Sequence, residues 1–242
     1  MKGYISLLGL FSRYSWIKLT LVFLAVIAVD TSSFLLLLER DVKVNEILAV
    51  DEYIASPVIH WTFACGLLLL FVILCISGMQ TSAKTGYTLR RLSVKESGVF
   101  AVQAVYNTLV LLVFWAVQLL CVYLFSLHYA KLSETDIGVQ TVYIAFYRER
   151  FLHSLLPLSD VMLWVRNFVL FAFLGLSCAY FTYRQRRGTF SYIAVAACAY
   201  AFFLFGMGIG NIMHIIIFVI SAVILSGYMI DAVIKKEESY DS

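Results

Sequence analysis

The chain has 242 residues, of which 62% are hydrophobic and 14% charged, with 2 prolines and a mean hydropathy of +0.90. A soluble domain needs far more polar surface than this, and the apolar residues fall in continuous blocks of about 20, the length of a helix that crosses hydrocarbon, which excludes a β-barrel of short alternating segments. The net charge of +3 forms no basic face for nucleic acid, so residues 1–242 read as a single all-α transmembrane domain.

Residues 3–14 set Tyr4, Leu7, Leu8, Phe11 and Tyr14 at helical spacing, with Ser6, Ser12 and Arg13 elsewhere on the wheel. That pattern predicts a helix lying in the membrane interface. The first span follows at about 17–38; its apolar run resumes after Asp30, which marks an uncleaved crossing rather than a signal peptide. Residues 39–56 are an acidic connector, and Pro57 opens span 2, about 58–79, in the first turn where proline is tolerated. A polar loop, 80–97, leads into span 3 at about 94–127, where Ser93 and Glu96 form a capping box. Residues 128–160 are the longest connector, and Val139, Val142, Tyr143 and Phe146 predict one apolar helix face, so the connector is expected to lie on, or dip into, the outer interface. Span 4 is expected at about 161–183, span 5 at 190–209 and span 6 at 212–234, the last two joined by the tight reversal Gly206–Asn211. Ala194, Ala197 and Ala201 give span 5 a small-residue face, a candidate interface for a second subunit.

Orientation follows from where Lys and Arg fall. With both termini inside, the inner side holds Lys2, Arg13, Lys18, Lys84, Arg90, Arg91, Lys95, Arg184, Arg186, Arg187, Lys235 and Lys236. The outer loops hold only Arg40, Lys43, Lys131, Arg148 and Arg150, with Arg166 near the outer end of span 4, where snorkelling would carry its charge to the surface. Six spans with both ends inside are therefore expected, and the 80–97 loop is placed in the cytoplasm.

Catalytic chemistry is not legible: the chain carries no Walker A, GxSxG or HExxH motif, and its histidines and cysteines form no metal-binding spacing. No catalytic and no metal-ligating residue is assigned. Polar residues inside spans are costly and therefore informative. Asp30 lies within span 1, and Gln103, Asn107 and Gln118 share one face of span 3. They either hold the bundle together or edge a polar pathway, and Asp30 is the strongest candidate for the latter because a carboxyl group there needs a cation, a proton or water.

In the 80–97 loop, Lys84, Arg90, Arg91 and Lys95 satisfy the positive-inside bias, but Tyr87, Leu89 and Leu92 are apolar side chains set among headgroups and water. A short helix over Gly86–Leu92 would present them beside the two arginines, a surface suited to a protein groove or to the membrane. The N-terminal amphipathic segment, the span pattern, the TGYTLRRLSVKE stretch at 85–96 and the outer FLHSLLPLSD stretch at 151–160 together resemble the permease subunits of ABC-2 type ABC transporters, in particular small Gram-positive versions. Many members of that family have a longer helical insertion between spans 5 and 6. The resemblance implies an exporter subunit in the cytoplasmic membrane that pairs with a second permease subunit, identical or related, and with separate ABC ATPase subunits. ATP would then bind on the partner, with no cofactor on this chain. It also implies that Tyr87, Leu89, Arg90, Arg91 and Leu92 form the ATPase-coupling helix. The aromatic-rich spans suit a peptide, a lipid or a drug. The alternative is a membrane scaffold or sensor that uses the same loop without moving a substrate.

Overall fold

Amides and carbonyls inside hydrocarbon have no water to bond to, so a chain this apolar satisfies them within helices. The computed structural model of the protein describes residues 2–44, 53–54, 56–78, 95–132, 144, 146–158, 160–207 and 211–241, and their regular structure is helical throughout. The helices are α1 (Lys2–Val44), α2 (Pro57–Gly78), α3 (Glu96–Leu132), α4 (Arg150–Leu155), α5 (Val161–Arg186), α6 (Tyr192–Met207) and α7 (Ile212–Asp241). Among the described residues, five stretches are long and apolar enough to cross a membrane: Ser15–Arg40, Pro57–Ser77, Glu96–Lys131, Val161–Arg186 and Ile212–Lys236. Span 5, expected at 190–209, corresponds to α6, which is as apolar but has 16 residues, about 24 Å of helix against a hydrocarbon core of about 30 Å.

Side-chain pairs fix the direction of each helix. Ser15 meets Tyr106 and Asp30 meets Gln118, so α1 and α3 run parallel. Glu96 meets Arg187 while Trp115 meets Phe168, so α5 runs antiparallel to α3. Phe63 faces Phe114 and Phe205, and Cys75 faces Cys178, which sets α2 against α3 and alongside α5. Phe190 lies on Phe181 and Phe205 on Phe171, so α6 turns back along α5. Phe173 meets Phe218 and Tyr180 meets Tyr228, which returns α7 in the direction of α5. With α6 included, the helices α1, α2, α3, α5, α6 and α7 thus alternate in direction, and α3 packs on α1, α2, α5 and α7.

The interfacial helix expected over residues 3–14 is not a separate element, because α1 continues without a break from Lys2 through the first span. No proline interrupts it, and its first turns have something to pack on: Leu7 and Phe11 are buried with Val99 of α3, and the Ser15 hydroxyl bonds the Tyr106 hydroxyl at 2.6 Å. At the other end α3 continues to Leu132, past the boundary expected near residue 127. The capping residue Ser93 and the residues Val139, Val142 and Tyr143 lie outside the described residues, while Phe146 is buried. The small-residue face of α6 is also corrected: Ala194, Ala197 and Ala201 are 1%, 4% and 0% exposed, buried against this chain's own helices rather than offered to a second subunit.

Close helix approach depends on glycine at named places. A Cβ on Gly175 of α5 would run into the Thr108 hydroxyl and sit 2.7 Å from the Thr108 nitrogen, so α3 and α5 touch backbone to backbone there. Around Gly227 of α7, by contrast, there is open space. Gly175→Val should therefore destabilise the bundle by about 1–3 kcal/mol in detergent unfolding, whereas Gly227→Ala should stay within about 0.5 kcal/mol. Equal midpoints for the two variants would contradict this α3–α5 packing.

Candidate functional site

The polar residues of α3 divide among its neighbours rather than gathering at one point. Gln118 Nε2 donates to Asp30 Oδ2 of α1 at 2.8 Å. Asn107 Nδ2 donates to the Gly175 carbonyl of α5 at 3.4 Å, and Gln103 Oε1 accepts from Arg186 Nη2 at 3.4 Å. All four expected path residues are buried: Asp30 is 0% exposed, and Gln103, Asn107 and Gln118 are 1% each. The structure brings Asp30 and Gln118 together, but Gln103 and Gln118 stand about 22 Å apart along the helix. Two apolar grooves are present, one of about 680 Å³ between α1 and α2, floored by Val26, Trp61 and Gly66, and one of about 360 Å³ among α5, α6 and α7. None of the four residues lines either groove. The seam thus works as interhelical hydrogen bonding in this conformation.

The five residues expected to couple to an ATPase, Tyr87, Leu89, Arg90, Arg91 and Leu92, lie outside the described residues. The ground on which their loop ends is described. Arg187 pairs with Glu96, and its guanidinium lies over the Tyr183 ring at 4.5 Å, while Arg186 Nε donates to the Thr182 carbonyl at 3.3 Å. Lys95 and Arg184 complete a basic cluster where α3 begins and α5 ends.

At the opposite end the structure corrects the expectation for Arg166. It does not snorkel: it is 0% exposed. Its Nη2 donates to the Ser154 carbonyl at 3.0 Å, to Ser154 Oγ at 3.2 Å and to Asn167 Oδ1 at 2.9 Å. Asn167 Nδ2 donates to the same Ser154 carbonyl at 2.9 Å, and Trp115 Nε1 of α3 donates to the Leu155 carbonyl at 3.0 Å. These are the C-terminal carbonyls of α4, which a helix end leaves without internal partners. With Phe151, Leu152 and Leu155 buried and Phe151 stacked on His60 at 4.1 Å, α4 is a short plug between α2, α3 and α5. The signal for it in the sequence was Asn167: a second polar side chain beside Arg166, too short to snorkel.

Among the described residues no group of three or more His, Cys, Asp or Glu side chains is placed to hold a metal ion. Cys75 and Cys178 are buried free thiols with their sulfurs 3.2 Å apart. Comparison with known protein families, with curated proteins and with solved structures gave no match.

The anchoring of α4 is testable by thiol access. Each hydrogen bond from a charged donor is worth about 1.5–3 kcal/mol, and about 1.4 kcal/mol is a factor of ten in an opening equilibrium. In a background lacking the native cysteines, Arg166→Leu should therefore speed maleimide labelling of Leu155→Cys by roughly tenfold or more. An unchanged labelling rate would mean that apolar packing alone holds α4.

Proposed function

We propose that this chain is the membrane-spanning permease subunit of an ABC-2 type transporter, with six spans and both termini in the cytoplasm. It supplies the path, and separate ABC ATPase subunits supply the energy. The observation that carries the reading is the segment TGYTLRRLSVKE between α2 and α3, which resembles the coupling helix of that family. The bundle around it supports the same reading. The helices alternate in direction when α6 is counted with the five long ones, and their ends on the loop's side gather Arg13, Lys18, Lys95, Arg184, Arg186, Arg187, Lys235 and Lys236, the side a positive-inside chain keeps in the cytoplasm. Under this reading α6 is the fifth span, completed by residues beyond its 16-residue helix, and the direction of transport is export. ATP-driven closure of the ATPases would push on the loop and re-pack α1 and α2 against α3.

A second reading, a scaffold or sensor that binds cytoplasmic partners, is favoured by one observation: the polar residues of α3 are sealed and line neither groove. The two readings separate on the partner. Leu89→Asp, or Arg90→Glu with Arg91→Glu, should leave membrane insertion intact and abolish co-purification with an ATPase subunit together with its stimulated hydrolysis. Wild-type chain that captures only a partner without ATPase activity would replace the permease reading with the scaffold.

A further inference from the structure

Among the described residues Asp30 is the one carboxyl group fully enclosed within a membrane-spanning stretch. It is 0% exposed, inside Ser15–Arg40 and about 15 Å along the helix axis from Arg40. Its surroundings are apolar on both sides. One turn toward the N-terminus, Val26 and Phe114 close on Gly66, each within 3 Å of where a Cβ would stand. One turn toward the C-terminus, Phe34 stacks on Phe125 at 4.8 Å. Between these layers a single donor, Gln118 Nε2, reaches Asp30 Oδ2, and Oδ1 is buried with no hydrogen-bond partner. Among the described residues no cation pairs with Asp30. From α3 the buried thiol of Cys121 lies within electrostatic range of it, and Tyr53 and His128 lie beyond the Phe34 ring.

A carboxylate has about four lone-pair sites to satisfy, and here one neutral amide serves them. Leaving a charge so placed costs several kcal/mol, whereas one proton removes the charge and leaves a neutral group that a single amide can serve. We propose that Asp30 is a proton-binding site: it stands in the closed bundle as the neutral acid and exchanges that proton when α1 moves off α3. The step forms or breaks one O–H bond, and the proton passes to or from water admitted between the two helices. This inference goes beyond the permease reading and does not rest on an ATPase partner, so either can fail alone.

The test is infrared spectroscopy of the full chain in phosphatidylcholine vesicles near pH 7, with Asp30→Asn as the reference. The difference spectrum should show the carbonyl band of a protonated carboxylic acid in the wild type and lose it in Asp30→Asn. Gln118→Leu should keep the band and move it to higher frequency, because the hydrogen bond to the carboxyl is gone. A wild-type spectrum that shows only carboxylate, with helical content intact by circular dichroism, overturns the proposal. So does an acid band that persists in Asp30→Asn, which would belong to another residue.

Discussion

The cost of an unpartnered polar group in hydrocarbon shapes this bundle more than apolar burial does. Lipid tails are as apolar as leucine, so nothing like the hydrophobic effect of water drives one helix against another. What remains is close packing and interhelical hydrogen bonding, the latter worth roughly 0.6–1.7 kcal/mol each. Both act along α3. Its Asn107 and Gln103 bond to α5, its Tyr106 and Gln118 bond to α1, and Thr108 fills the space that Gly175 leaves open. A helix that carries such a polar face has to turn it toward neighbouring helices, and α3 turns its own toward α1 and α5.

Arg166 obeys the same constraint from the side of charge. A buried guanidinium is expensive alone, and so is a helix end whose last carbonyls point into a packed bundle. Set against each other they cancel much of the cost: Arg166, Asn167 and Trp115 supply donors, and the end of α4 supplies acceptors. This reciprocity explains how a six-residue helix can sit among spans instead of lying on the surface. It also explains why Phe151, Leu152 and Leu155 are buried although they belong to a connector.

The chain revealed its helices far more readily than their partners. Block length and Pro57 located the spans to within a few residues, because crossing length and helix-start chemistry are local. Gln103, Asn107 and Gln118 were visible as one polar face because a helical wheel is also local. Which neighbour meets each of them is a tertiary fact, and periodicity does not carry it. The alanine face of α6 shows the same division: its spacing announces close approach, but only the fold shows that the approach is within the chain. Residues 3–14 were misplaced for a related reason. An amphipathic turn before a span suits the membrane surface equally well as a helix that continues to pack on an overlong neighbour, and α3 is that neighbour.

These contacts make one seam of the bundle tighter than another. α3 and α5 meet backbone to backbone at Gly175, are tied by Asn107 at one level and by Gln103 and Glu96 at another, and are wedged by the Trp115–Phe168–Phe171 cluster. Sliding them would lose all of these at once. α1 is held on α3 by two separated polar links, Ser15 with Tyr106 and Asp30 with Gln118, with apolar contacts between. Breaking two such links costs about 1–3 kcal/mol. The easier seam is also the one that encloses the carboxyl of Asp30, so any motion that opens it brings that group to water and makes re-closure depend on returning a proton.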